Sequence, residues 1–245
     1  MSNQIFSTLI LVARPAAGKS EIIHFLKQTP VAQRRQRFHI GELDELDDFP
    51  LLWSWFEEDQ LLAEMGKPRL YTDTHGNFKW PYLWDLLIRR LVLEYGKHQR
   101  DLSPEAGSQI TTLIEFARGK EHGGFKRAFQ NFSPEILRRA AILYVQVSFA
   151  ESLRKNRKRY NPQRPDSILE HGLSDEKMEQ LYKEMDWEEL SQGKSDGYLE
   201  IQGFPVPFVV FENEDDLTTP AGEPLGARLE ERLNILWRTD QQLHA

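Results

Sequence analysis

Ile5-Phe6-Ser7-Thr8-Leu9-Ile10-Leu11-Val12 runs directly into Ala13-Arg14-Pro15-Ala16-Ala17-Gly18-Lys19-Ser20, after which Ile22, Ile23, Phe25 and Leu26 recur at helical spacing as far as Pro30. The first run is β-rich, mostly apolar and too short for a buried helix, which is the pattern of an interior parallel strand. The residues that follow are a turn, and the last stretch is an amphipathic helix stopped by a proline. The chain therefore begins strand, loop, helix.

The same rhythm continues outward from there. Phe38-His39-Ile40, preceded by the basic run Arg34-Arg35-Gln36-Arg37, predicts a short second strand, with Glu42, Asp44, Glu45, Asp47 and Asp48 crowding its exit. Residues 50–65 and 81–95 predict two Trp- and Leu-rich helices, joined by a polar, glycine-bearing loop at 71–77. A strand at 110–116 carries Glu115 near its end and is followed by Ala117-Arg118-Gly119; a helix at about 126–140 and a strand at 141–147 come next. A basic helix at 151–159 is broken by Asn161-Pro162-Gln163-Arg164-Pro165, where a mobile segment is expected. Two strands at 197–203 and 205–211 and a helix at 224–237 close the chain. Such alternation predicts a mostly parallel sheet covered on both faces, with ligands at the carboxyl ends of the strands.

Composition bounds what the site can be. With 245 residues, 40% of them hydrophobic, and 14 Phe, 6 Trp and 7 Tyr, the chain buries a full core and is not intrinsically disordered. The absence of cysteine excludes disulfides, thiolate zinc sites and cysteine nucleophiles, and a reducing cytoplasm is expected. No apolar run approaches the roughly 18 residues of a transmembrane helix, and the first twelve residues carry neither a basic head nor a small-residue cleavage site, so neither membrane nor export is expected. A formal net charge of -7 disfavours the surface as a nucleic-acid platform, so any anion site must be local.

Gly18-Lys19-Ser20 sits between a buried-type strand and an amphipathic helix. In that setting consecutive backbone N–H groups and a helix N-terminus wrap a phosphate; Lys19 would reach the β and γ phosphates and Ser20 would hold Mg²⁺. Residues 13–20 resemble the Walker A loop of P-loop nucleotide-binding proteins, with Ala13 where the first glycine is usual. Alanine fits that position at negative φ.

As an arrangement, nearly the whole chain resembles the nucleoside and nucleotide kinase group of that family. The resemblance implies a three-layer P-loop kinase-like α/β fold, with a mostly parallel sheet and helices on both faces. It implies a single domain over 1–245, a helical acceptor-binding insertion at about 41–105 and a lid at about 150–190. It further implies Mg·ATP held by Arg14, Pro15, Ala16, Ala17, Gly18, Lys19 and Ser20, with Asn213 near the adenine. Glu115 takes the place of the group's strand-end acid, organising Mg²⁺ with Ser20 or accepting the acceptor's proton. Arg118 would hold a phosphate, although the group commonly places its arginine directly after the acid. Arg154 and Arg157, with Lys158 and Arg159, resemble lid cations that stabilise the charge spread over a transferring phosphoryl group.

Glu42 and Asp44 would face the acceptor, and carboxylates there suit a neutral hydroxyl better than a phosphate. The run Arg34 to Arg37 is the opposing hint, toward an anionic acceptor. Asp73, His75 and Lys79 mark a second acceptor-side loop, and Trp53, Trp55, Trp80 and Trp84 read chiefly as core. The first functional reading is an ATP-dependent phosphotransferase, a kinase moving the γ-phosphate of Mg·ATP to a small hydroxyl-bearing or nucleoside/nucleotide acceptor. The alternative is a nucleotide-binding regulatory ATPase or switch, and the third is a P-loop fold without catalysis. An acceptor pocket in line with the γ-phosphate separates the first two.

Overall fold

The computed structural model describes residues 5–159, 163 and 172–244. The elements in order are β1 (Thr8–Ala13), α1 (Lys19–Gln28), α2 (Val31–Phe38), β2 (Glu42–Asp47), α3 (Phe49–Glu64), α4 (Leu83–Asp101), α5 (Pro104–Gly107) and β3 (Ile110–Phe116). A 3₁₀ turn (Lys120–His122), α6 (Gly124–Phe129), α7 (Pro134–Leu137), β4 (Ala140–Gln146) and α8 (Phe149–Arg159) follow. The chain then forms α9 (Asp175–Tyr182), α10 (Trp187–Ser191), β5 (Asp196–Ile201), β6 (Phe204–Glu212) and α11 (Glu223–His244). The six strands make one sheet in the order β2-β3-β1-β4-β6-β5, parallel throughout except for the β5–β6 hairpin.

Strand side chains alternate between faces, and both faces are apolar because both are covered. Ile10, Val12, Ile114, Phe116, Ile142 and Tyr144 pack with Ile88, Leu91, Phe125, Phe129 and Trp187 from α4, α6 and α10. Leu9, Leu11, Leu113, Leu143, Val209 and Phe211 pack with Ile22, Leu26, Phe38, Leu229 and Leu233 from α1, α2 and α11. The result is a three-layer α/β fold. Beside β1 the strand order reverses, since the chain first runs out to β2 and β3 and later to β4 and β6 on the other side. Reversals of that kind open a crevice at the carboxyl ends of the strands.

The residues at 38–40 are not a strand. Phe38 ends α2, His39 caps it at φ 55°, and the strand lies further on, in the acidic sequence Glu42–Asp47. The ladder to β3 makes this a strand where propensity does not, because as an edge strand it buries little beyond Leu46. The basic run Arg34 to Arg37 is therefore helical. The helix expected over 126–140 divides at Ser133-Pro134, where the Ser133 hydroxyl accepts from the Ile136 N–H and starts α7. The hairpin at 196–212 turns on Gln202 and Gly203, both at positive φ, the turn that suits the twist of two antiparallel strands. The expected mobile segment at 161–165 falls, apart from residue 163, outside the described residues. Among those residues, no helix is long and apolar enough to cross a membrane.

Candidate active site

β1 ends at the fully buried Ala13, which keeps negative φ as a strand residue, so the missing glycine side of the loop carries no strain. The chain then turns through Ala16 at φ 54° and Gly18 at φ 115° into α1. Gly18 caps α1 without a side chain, which leaves the first-turn N–H groups of the helix for another acceptor. A glycine is required here twice over: the φ is left-handed, and a Cβ would lie 2.5 Å from Thr218 Oγ1 and 2.8 Å from Asn213 Nδ2.

The loop is held from behind. Asn213, fully buried after β6, donates its side-chain amide to the Ala17 carbonyl at 2.8 Å and to Thr218 Oγ1 at 2.8 Å. Ser152 of α8 donates to the Pro15 carbonyl at 2.8 Å. Lys155, one turn along the same face, bonds Thr218 Oγ1 at 2.8 Å and Asp216 at 2.7 Å. Asn213 thus shapes the loop with its side chain, and the Arg14 side chain leaves it, donating to the Lys183 carbonyl at 3.0 Å.

In front of the loop lies a cavity of about 590 Å³ lined by Lys19, Ser20, Asp47, Asp48, Glu115 and Arg159, among others. Lys19 Nζ stands 3.6 Å from Glu115 Oε1, and both side chains are largely buried. Burial pushes the Glu115 carboxyl up, while the Lys19 charge and, more weakly, that of Arg159 oppose the rise. Asp47 lies opposite Glu115 in the β2–β3 register. Although it keeps contact with solvent, crowding by protein atoms, reinforced by the charges of Glu115 and Asp48, pushes it up to about 7. Ser20 is exposed at the head of α1.

The remaining sequence candidates are placed as follows. Arg118 is buried and pairs with buried Asp48 at 2.6 Å, its guanidinium lying over Trp84, so it is a wall of the cavity tied to an acid. Glu42 and Asp44 do not line the cavity. They sit at the level of Ile110 and Thr112, so Asp44 falls about 10 Å short of Asp47 by the strand rise. There Asp44 meets His98 at 2.9 Å and Glu42 meets Arg34 at 3.5 Å. The misplaced strand caused this shift, and Asp47 and Asp48 are the acids the structure delivers to the cavity. Arg34 is buried against the carbonyls of Leu26 and Gly41, and Arg37 pairs with Glu223 and Glu230, so neither faces an acceptor.

On α8, residues 152, 155, 156 and 159 share the inward face, whereas Arg154 and Arg157 point out. Arg154 is paired with Glu151 and Asp216, and Arg157 with Asp175. Lys158 and Arg159 are the α8 cations beyond Lys155 that line the cavity. Helical spacing applied to the basic run sets Lys155 and Arg159 apart from Arg154, Arg157 and Lys158 in the sequence itself. Within the lid expected at 150–190, residues 160–162 and 164–171 lie outside the described residues.

Through Phe49, Leu52, Trp84, Leu173 and Tyr182 the cavity meets a second chamber of about 490 Å³. Trp53, Phe56 and Phe78 line it too, while Trp55 is core and Trp80 is exposed. Its rim is the turn at 72–78. Asp73 accepts from the N–H groups of His75 and Asn77, which holds its carboxyl below the usual range and orders Gly76 and Asn77 at the chamber. His75 itself is exposed and lines neither cavity. Asp59, buried in α3 and not singled out by sequence, fixes the same turn by accepting from Tyr71 N–H at 3.0 Å and Thr72 Oγ1 at 2.7 Å. From α9, Lys177 reaches across to the Gly76 carbonyl at 2.7 Å.

Among the described residues no group of three or more His, Asp or Glu side chains is arranged to hold a metal ion. No protein-family model and no curated protein matches the chain. Among solved structures, the chain is similar to an unliganded sugar kinase from Janibacter sp. HTCC2649, at 14% identity and a TM-score of 0.37, with 93% of this chain and 94% of that one covered.

Proposed function

We propose that the chain is a P-loop phosphotransferase, moving the γ-phosphoryl group of Mg·ATP to a small hydroxyl-bearing acceptor. The observation that carries this reading is that the two cavities adjoin, with five wall residues in common. A loop with free helix-start N–H groups and Lys19 lies on one side of a carboxylate group, and an aromatic-walled chamber lies on the other. A switch protein needs a water at the γ-phosphate and a responsive surface, and has no use for such a chamber.

On this reading the 13–20 loop and Lys19 hold the triphosphate. Mg²⁺ keeps several waters and binds through one or two carboxylates plus substrate phosphates, so Ser20 and Glu115 suffice as its protein ligands without a cage. When bound, the ion would neutralise charge on the phosphoryl oxygens. Asp47, with its pKa near neutrality, takes the acceptor's proton, as a general base should. Arg159 and Lys158 supply positive charge at the cavity wall, in the place expected of Arg154 and Arg157. Residues 1–245 then act as one domain, 41–105 on the acceptor side and 150–190 as lid, in a cytoplasm that the lack of cysteine suits.

Calorimetry of the full chain with Mg·ATP tests this. Binding is expected, and Lys19→Ala should weaken it at least tenfold. Equal affinity in the two proteins would overturn the reading.

A further inference from the structure

His122 is a buried imidazole whose two ring nitrogens both lack a hydrogen-bond partner among the described residues. Its ring stacks on Trp84 with centroids 3.7 Å apart and meets Tyr182 edge-on at 5.3 Å, on the wall of the aromatic chamber. Buried polar groups are nearly always hydrogen-bonded, so one left open beside a cavity marks a place for a ligand atom. Burial, with the Arg118 charge behind it, holds the imidazole down to about 3. At neutral pH it therefore offers one donor and one acceptor, which a hydroxyl can match with its own lone pair or proton.

Glu121 and Gln180 stand at the exposed edge of the chamber, and the polar groups further in are engaged. The Asn77 carbonyl is taken by Lys177, and the Arg127 guanidinium by Asp85 at 2.7 Å. A sugar seated against the aromatic walls would leave the hydroxyls on that side without partners, at a cost for each. A flat aromatic ring instead buries its area against the aromatic walls.

We infer that the acceptor is an aromatic alcohol, its ring in the chamber, a ring-edge hydroxyl at His122 and its alcohol directed to Asp47. This rests on the phosphotransferase reading. In the transfer, the alcohol oxygen forms the new bond to the γ-phosphorus while the bond to the β,γ-bridging oxygen breaks. ADP leaves with that electron pair, and the alcohol proton passes to Asp47.

The test is calorimetry of the full chain with 4-hydroxyphenethyl alcohol, 2-phenylethanol, adenosine and glucose, each with and without a non-hydrolysable Mg·ATP analogue. 4-Hydroxyphenethyl alcohol should bind, and 2-phenylethanol, which lacks the ring hydroxyl, about tenfold more weakly. His122→Phe should abolish that difference, and Trp53→Ala, on a less buried wall, should weaken both ligands. The comparison of the two alcohols needs no variant, so it decides even where His122→Phe does not fold. Binding of adenosine or glucose in preference to both alcohols overturns the inference, as does equal affinity for the two alcohols. If the Mg·ATP analogue binds and neither alcohol does, the acceptor class falls and phosphoryl transfer stands. If the alcohols bind as expected and the nucleotide does not, the chamber's specificity stands and the transfer falls.

Discussion

Asp47 and Glu115 face each other in register across the parallel pair β2–β3, at the strand ends that open beside the 13–20 loop. Both carboxyls are pushed up, Glu115 by burial against the opposing charge of Lys19 at 3.6 Å, and Asp47 to about 7 by crowding and the neighbouring acids. Two neighbouring acids so shifted can hold and release a proton near neutral pH beside the loop.

The pH dependence of stability follows. The unfolded Asp47 loses its proton near its ordinary 3.8, and the folded one near about 7. Between those values the folded state binds the extra proton, so stability is greatest at the acid end of the window and declines as pH rises through 7. Asp47→Asn keeps an acceptor for the Phe49 N–H and removes the charge. Its melting temperature should match the parent near pH 4 and exceed it at pH 8; parallel pH profiles would refute the assignment.

Two substitutions at opposite ends of the loop should behave in opposite ways. Gly18→Ala forces a left-handed φ and drives a Cβ into Thr218 and Asn213, so a loss of about 1–3 kcal/mol is expected, together with loss of nucleotide affinity. Ala13→Gly, in an extended strand end, should cost at most about 1 kcal/mol and leave affinity within a few fold. Denaturant titration and calorimetry on the same two proteins check both statements.

The contrast between these positions also shows what could be read in advance. Runs such as Leu9-Ile10-Leu11 and Ala141-Ile142-Leu143 announce two-faced buried strands, and the loop between β1 and α1 follows from them. β2 could not be read in the same way. Its alternating acids resemble a solvated turn, and only the ladder to β3 makes Glu42–Asp47 a strand, which moved the acceptor-side acids from Glu42 and Asp44 to Asp47 and Asp48. Nor could His122 be found, because its significance lies in the rings of Trp84 and Tyr182, which are distant in the chain.

Arg118 illustrates a residue whose place favours packing over phosphate contact. It shares a buried ion pair with Asp48, and removing one member leaves the other charge uncompensated. Arg118→Ala should therefore destabilise the fold by about 3–5 kcal/mol, whereas Arg118→Ala with Asp48→Ala should recover part of that loss. Full stability in the single variant would show that the pair is not formed and would return Arg118 to the ligand.

The cations of α8 divide by face, and so should their kinetics. Arg154 and Arg157 are exposed guanidinium groups held in ion pairs that solvent screens, and neither lines the cavity. Arg154→Ala and Arg157→Ala should accordingly leave kcat within about twofold. Arg159 lines the cavity, and its charge acts on Glu115. A cation acting on charge that develops in the transition state appears in kcat more than in KM, so Arg159→Ala should lower kcat tenfold or more with KM for ATP nearly constant. Removing Arg159 also lifts one of the charges that restrain the Glu115 carboxyl, so the acid limb of the kcat profile should move to higher pH in that variant alone. Steady-state rates across pH for the three variants decide the matter: a uniform effect of all three would mean that α8 acts through its overall charge, and an Arg159 variant with unchanged kcat and an unmoved acid limb would take this helix out of the chemistry.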